Sequence, residues 1–153
     1  MRKFTATAAL LGLAALGVVV PAATSQAADS AVAGPGCDSK WGPRNGYMYA
    51  WDGYDCSGAQ LIATPNTVGD WGSANWDRAS SVMNRGYTGS LAIVKFYEWE
   101  GHAEGTNDGH ACLQPGELYA DNLSDNRLSD GSSADNNIRS HKWVNGGCAT
   151  NLT

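Results

Sequence analysis

Past Val20 the chain contains no long apolar run, so nothing there reaches the about 18 to 20 residues that cross a bilayer. Basic side chains are scarce, 10 against 15 Asp and Glu, for a net charge of −5. An acidic chain without a basic patch repels phosphate backbones, which excludes nucleic acid as a partner. Acidity suits solubility, or binding of a cation or a basic protein. No two cysteines stand as C-x2-C, which removes zinc held by thiolates. H-E-x-x-H and G-x-S-x-G are also missing, and with them the common hydrolase signatures. After the N-terminal segment no stretch sustains apolar spacing at i, i+3, i+4 and i+7 for three turns, so the class is all-β.

What is present begins with an export signal. Arg2 and Lys3 precede the apolar run Ala8 to Val20, and Ser25 and Ala27 supply small residues for cleavage after Ala27. No cysteine closes the apolar run, so a lipid anchor is not expected. Residues 1–27 are therefore expected to be removed, 28–36 to form a flexible leader, and 37–153 to form one domain. The product is a secreted, extracellular protein, free of the membrane after processing and monomeric. Its 126 residues carry 8 basic and 15 acidic side chains, a net charge of −7. All four cysteines lie in this part. An even count in an exported chain reads as two disulfides with three connectivities. The expected pairing is Cys37–Cys56 and Cys112–Cys148, one per half, each stabilising by about 3 to 4 kcal/mol.

Candidate strands are 47–51, 60–64, 79–84, 91–98, 117–122 and 137–144, rich in Tyr, Trp, Val and Ile. Asn45-Gly46 and Asn145-Gly146 are tight-turn dipeptides. A weak internal repeat relates the strands. Tyr49-Ala50-Trp51-Asp52-Gly53-Tyr54 matches Tyr97-Glu98-Trp99-Glu100-Gly101-His102 at an offset of 48. Asp77-Arg78-Ala79-Ser80 matches Asn137-Ile138-Arg139-Ser140 at an offset of 60. The about 12 extra residues of the second half are expected as longer loops between Gly105 and Asn136.

These residues resemble a βγ-crystallin domain: two Greek keys, each opening with an aromatic hairpin of pattern aromatic-x4-aromatic-x-Gly. Tyr49 to Tyr54 and Tyr97 to His102 carry the spacing, with the glycines late at Gly58 and Gly105. Trp76-Asp77-Arg78-Ala79-Ser80-Ser81-Val82 and the export signal are similar to the bacterial secreted peptidase-inhibitor family of this fold, of metalloproteinase-inhibitor type. The resemblance implies a βγ-crystallin-like sandwich, Greek keys at about 37–88 and 89–150, with the second expanded. It also implies a non-catalytic protein that blocks the cleft of a secreted protease.

The resemblance suggests two sites. Microbial relatives hold calcium through Asn/Asp-Asn/Asp-x-x-Ser/Thr-Ser, and a hard cation wants six to eight oxygens. Each half carries a copy altered at one place, by Trp76 and by His141, leaving Asp77, Ser80, Asn137 and Ser140 as ligand candidates. No cofactor is required, and calcium is the cation this motif would take. The inhibitory loop is expected at Ala111–Gly116, with Cys112 as anchor, Leu113 as the side chain offered to a pocket, then Gln114, and Pro115 stiffening the exit. Two alternatives stand beside these. Glu98, Glu100 and Glu104 gather near His102, as an acid–base site would, although alternating acids also describe a solvated face. Six tryptophans allow glycan stacking, with Trp76 the exposed candidate and Trp51 and Trp99 equivalent structural residues.

Overall fold

A computed structural model describes residues 36–153; the expected signal peptide (1–27) and residues 28–35 of the leader lie outside the described residues. Seven strands form: β1 (Tyr47–Trp51), β2 (Gln60–Thr64), β3 (Ser81–Arg85), β4 (Ile93–Tyr97), β5 (His110–Leu113), β6 (Tyr119–Ala120) and β7 (Ser140–Val144). Among the described residues no helix is long and apolar enough to cross a membrane.

The strands make two antiparallel sheets, ordered β2-β1-β3-β6 and β5-β4-β7. Alternation decides which side chains meet between them. From β1, Met48 and Ala50 point into the interior; from β4, Val94 and Phe96 do so. Leu113, Leu123, Ile138 and Leu152 complete that core, all fully buried. The outward residues Tyr47, Tyr49 and Trp51 stack along β1 at 6.0 and 5.8 Å. A single helical turn, Cys37–Lys40, closes over this outer face, and Cys37, Cys56, Trp51 and Met83 form a second, smaller core.

Each half lends an edge to the other. β6, from the second half, pairs with β3 of the first through Val82 and Ala120. Val68, from the first half, bridges His141 of β7, with N–H to O distances of 3.0 Å in both directions. This reciprocal exchange is the two-Greek-key, βγ-crystallin-like sandwich that the sequence resemblance implies. Both disulfides, Cys37–Cys56 and Cys112–Cys148, are formed and no described cysteine is free. That fits an oxidising compartment.

Three sequence expectations change. The stretch at 111–113 is not a loop but β5, paired with β4 from His110 to Leu113. The extra residues of the second half are not merely surface loop: Leu123, Leu128 and Ala134 enter the main core. The repeat itself shifts register. Backbone bonds Ser80 N to Trp51 O and Arg139 N to Tyr97 O are equivalent, both 2.9 Å. They pair Trp51 with Tyr97 at an offset of 46, and Ser80 with Arg139 at 59. The corner pattern of the first half is thus Trp51-x4-Cys56-x-Gly58. Gly58 has φ +71, and a Cβ there would lie 2.2 Å from Asp52 Oδ1, so glycine is required. Cys56 (φ 53) takes the place that His102 (φ 61) takes in the second half.

Candidate functional site

The turns before β3 and β7 meet across the pseudo-twofold axis. Asp77 donates its N–H to Ile138 O at 3.2 Å, and Asn136 donates its N–H to Ala79 O at 2.9 Å. Both residues have φ of 53, a left-handed conformation that Asp and Asn tolerate better than most residues. The partner of Asp77 is therefore Asn136, and the second copy of the motif reads Asp135-Asn136-Asn137-Ile138-Arg139-Ser140. Its altered position is the fifth, where Arg139 stands opposite Ser80.

Arg139 decides what the first half can do. Its guanidinium donates to both oxygens of Asp77 at 2.7 to 3.0 Å and lies 3.6 Å from Glu100. It also lies over Trp99 and Trp76, with centroids at 4.6 and 5.1 Å. A fixed cation already neutralises the Asp77 carboxylate, so calcium does not fit there. Two of the other nominated ligands are also engaged and the third is buried. Asn137 donates to Ser132 Oγ at 3.2 Å, Ser140 Oγ donates to Trp99 O at 2.6 Å, and Ser80 is 5% exposed. The turns that carry Asp77, Ser80, Asn137 and Ser140 are joined by the two backbone bonds above. Among the described residues no three His, Cys, Asp or Glu side chains converge either.

The second half differs. Asp135 Oδ2 accepts from Tyr54 Oη at 3.3 Å and Asn136 Nδ2 at 2.9 Å, while Oδ1 is buried with no hydrogen-bond partner. A buried carboxylate oxygen without a donor is costly unless a cation satisfies it. Sequence reasoning missed Asp135 because Asn136 and Asn137 are the same residue type, and only the backbone φ selects between them.

The expected inhibitory loop is corrected on burial. Cys112 and Leu113 are fully buried in β5, and Leu113 is part of the main core, so it offers nothing to a protease pocket. Gln114 bonds Asn151 through Nε2 at 2.7 Å, and Pro115 O accepts from Arg44, so only the turn beyond them faces solvent. A longer exposed segment is the link between the halves, Tyr87 to Leu91.

The other candidates are bound up in structure. Glu104 holds buried Lys95 at 2.9 Å and accepts from Tyr97 Oη at 2.9 Å. The lysine ammonium keeps the Glu104 carboxyl below its ordinary pKa. Glu98 accepts from Gly109 N, and the Tyr97 and His102 rings pack 5.2 Å apart. His141 is buried, accepting from Trp71 Nε1 at 2.8 Å and lying 2.8 Å from Asn66 O. Burial, and then the neighbouring His102, lower its pKa to about 4, so it is neutral at pH 7. Trp76 is not an open platform for sugars, because Asp70 takes its Nε1–H and Arg139 covers its ring. Trp51 and Trp99 are not equivalent either, being 4% and 39% exposed.

Comparison with known proteins gives no matching family model and no matching curated sequence. Two solved structures are similar. One is a βγ-crystallin from Ciona intestinalis, at 16% identity over 64% of this chain and 99% of that one, with a TM-score of 0.45. The other is described as bearing on the evolution of the eye lens βγ-crystallin domain fold. It stands at 14% identity over 70% of this chain and 93% of that one, with a TM-score of 0.48.

Proposed function

We propose that this is a secreted, non-catalytic peptidase inhibitor that acts by filling the cleft of an extracellular protease. The observation that carries the reading is the way both ends of the described domain are stapled. At the first end Cys37 is fully buried, disulfide-bonded to Cys56, and donates its N–H to Asp55 Oδ1 at 2.9 Å. At the other, Cys112 N donates to Thr150 O at 3.0 Å and Leu152 N to Cys112 O at 2.8 Å, beside the Cys112–Cys148 bridge. Leu152 is itself fully buried. Proteolysis concentrates at frayed segments, and the bridges and backbone bonds keep these two segments from fraying. The test is a panel of thermolysin-like and subtilisin-like proteases assayed with the processed chain. Inhibition near one-to-one stoichiometry is expected; a panel left at full activity overturns the reading.

A second reading rests on the partnerless Asp135 oxygen. Calcium held at the turn of the second half would satisfy it, with carboxylate, amide and main-chain oxygens as the donor set that a hard cation takes.

A further inference from the structure

Among the described residues the link between the two halves is the longest wholly exposed run, and it is fixed at both roots. Tyr87, Thr88, Gly89, Ser90 and Leu91 are all exposed, between buried Gly86 and buried Ala92. Of the four large hydrophobic side chains exposed among the described residues, two stand here: Tyr87 at 66% and Leu91 at 53%. The sequence places Leu91 at the start of a strand; instead it has φ 56 and lies outside β4.

One buried side chain spans the base of this loop. Asn84 is fully buried, accepts from Gly86 N at 2.9 Å and donates to Ala92 O at 2.9 Å. Its amide also reaches Leu113 O at 3.1 Å, which ties the base to β5. Arg44 donates to Gly86 O at 2.7 Å, and Asn145 Oδ1 accepts from Leu91 N. Gly86 lies flush on Trp143, where a Cβ would stand 2.4 Å from the ring. Tyr87, Ser90 and Leu91 form one wall of an open groove of about 360 Å³ whose other side is Gly46, Thr67 and Trp143, and the Tyr87 ring lies against Gly46. Fixed roots remove much of the ordering cost that a free loop meets on binding. They also hold the two sides of any cut bond in register.

We infer that Tyr87–Leu91 is the segment that enters the protease cleft. Tyr87 fills a specificity pocket for large apolar side chains, and Leu91 supplies a second apolar contact. The assignment rests on the inhibitor reading and replaces Leu113 as the contacting residue. The partner is an endopeptidase with an apolar pocket, and Asn84 is a positioning residue that makes no contact with the enzyme.

The disulfides supply a diagnostic. Neither bridge spans the link, since Cys37–Cys56 lies before it and Cys112–Cys148 after it. One cut between 86 and 91 therefore yields two fragments on a denaturing gel without reductant. A cut inside either disulfide loop leaves the chain in one covalent piece. The experiment takes the most strongly inhibited protease of the panel and compares the processed chain with Tyr87→Asp and Leu91→Asp. At matched melting temperature, Tyr87→Asp is expected to weaken inhibition at least 100-fold and Leu91→Asp about 10-fold. Prolonged incubation of the unaltered chain is expected to release two fragments, with mass spectrometry placing the cut between 86 and 91. Unchanged potency in both variants, or a first cut elsewhere, overturns the loop assignment while inhibition by the unaltered chain keeps the inhibitor reading. Absence of inhibition by the unaltered chain overturns both.

Discussion

In the first half, Ser80 donates its N–H to Trp51 and Ser81 its hydroxyl to Gly53; in the second, Arg139 and Ser140 make the same bonds to Tyr97 and Trp99. The backbone frame is repeated, and the side chains on it have diverged. Where the first half closes its corner with the Cys37–Cys56 bridge, the second packs His102 on Tyr97. Val82 in the interior of β3 corresponds to His141 in β7, both fully buried. Tyr49 on β1 corresponds to Lys95 on β4, which needs Glu104 to balance its charge. The corner of the first half is locked by a covalent bond and apolar contact, that of the second by ionisable groups, its own bridge lying elsewhere. The lesson is that hydrogen bonds at the hairpin roots are enough to define the Greek key. The means of closing each corner is free to vary.

The largest effect that tests this contrast comes from the two bridges. On chain entropy alone, removing Cys112–Cys148, with its separation of 36, costs about 4 kcal/mol. Removing Cys37–Cys56, with its separation of 19, costs about 3 kcal/mol. Urea unfolding of the paired Cys→Ser variants measures both. A larger loss at the shorter bridge would show that the corner disulfide contributes packing of its own, as its place opposite an aromatic-stacked histidine suggests.

Acid should then unlock the second half first. His141 titrates near 4 in the folded state against an ordinary 6.5 in the unfolded chain. The unfolded state binds the proton first as pH falls, so stability is full above about 6.5 and is lost as pH drops through 4. The loss is about 3 kcal/mol, measured as unfolding free energy against pH. His141→Val, the residue type of the first half, should flatten that window. It should also cost about 1 to 3 kcal/mol at pH 7, because Trp71 Nε1–H loses its acceptor. A window left unchanged in the variant would remove His141 as the source of acid sensitivity.

Much of this frame was legible in the amino-acid order. β1 and β2 begin and end where alternation places them, since Tyr47–Trp51 and Gln60–Thr64 are bounded by turn residues. The repeat was legible in existence but not in register. A slip of two residues on β1 leaves every side chain on its own face, so Tyr49 and Trp51 are interchangeable to pattern reasoning. β5 was missed because four residues, His-Ala-Cys-Leu, followed by Gln-Pro-Gly, carry more turn signal than strand signal. The clamp at the base of the link was out of reach as well. An Asn inside a strand has low strand propensity, and only tertiary structure shows its amide joining Gly86 to Ala92.

The smallest effect sharpens the contrast at the twofold axis itself. Asp77 is neutralised by Arg139, whereas one oxygen of Asp135 has no partner, so the calcium reading proposed above expects the ion at the second half alone. With calcium a hundredfold above its dissociation constant, mass action gives about 2.7 kcal/mol of stabilisation. It would be read as a higher melting temperature than in chelator, with one equivalent bound by calorimetry. Asp135→Asn should abolish the shift and Asp77→Asn should leave it. Arg139→Ser restores the hydroxyl that the first half carries at Ser80 and releases the Asp77 carboxylate, so it should raise the bound equivalents above one. A shift lost in Asp77→Asn and kept in Asp135→Asn would reverse the assignment. The arginine would then be a displaceable partner rather than a resident replacement for the metal.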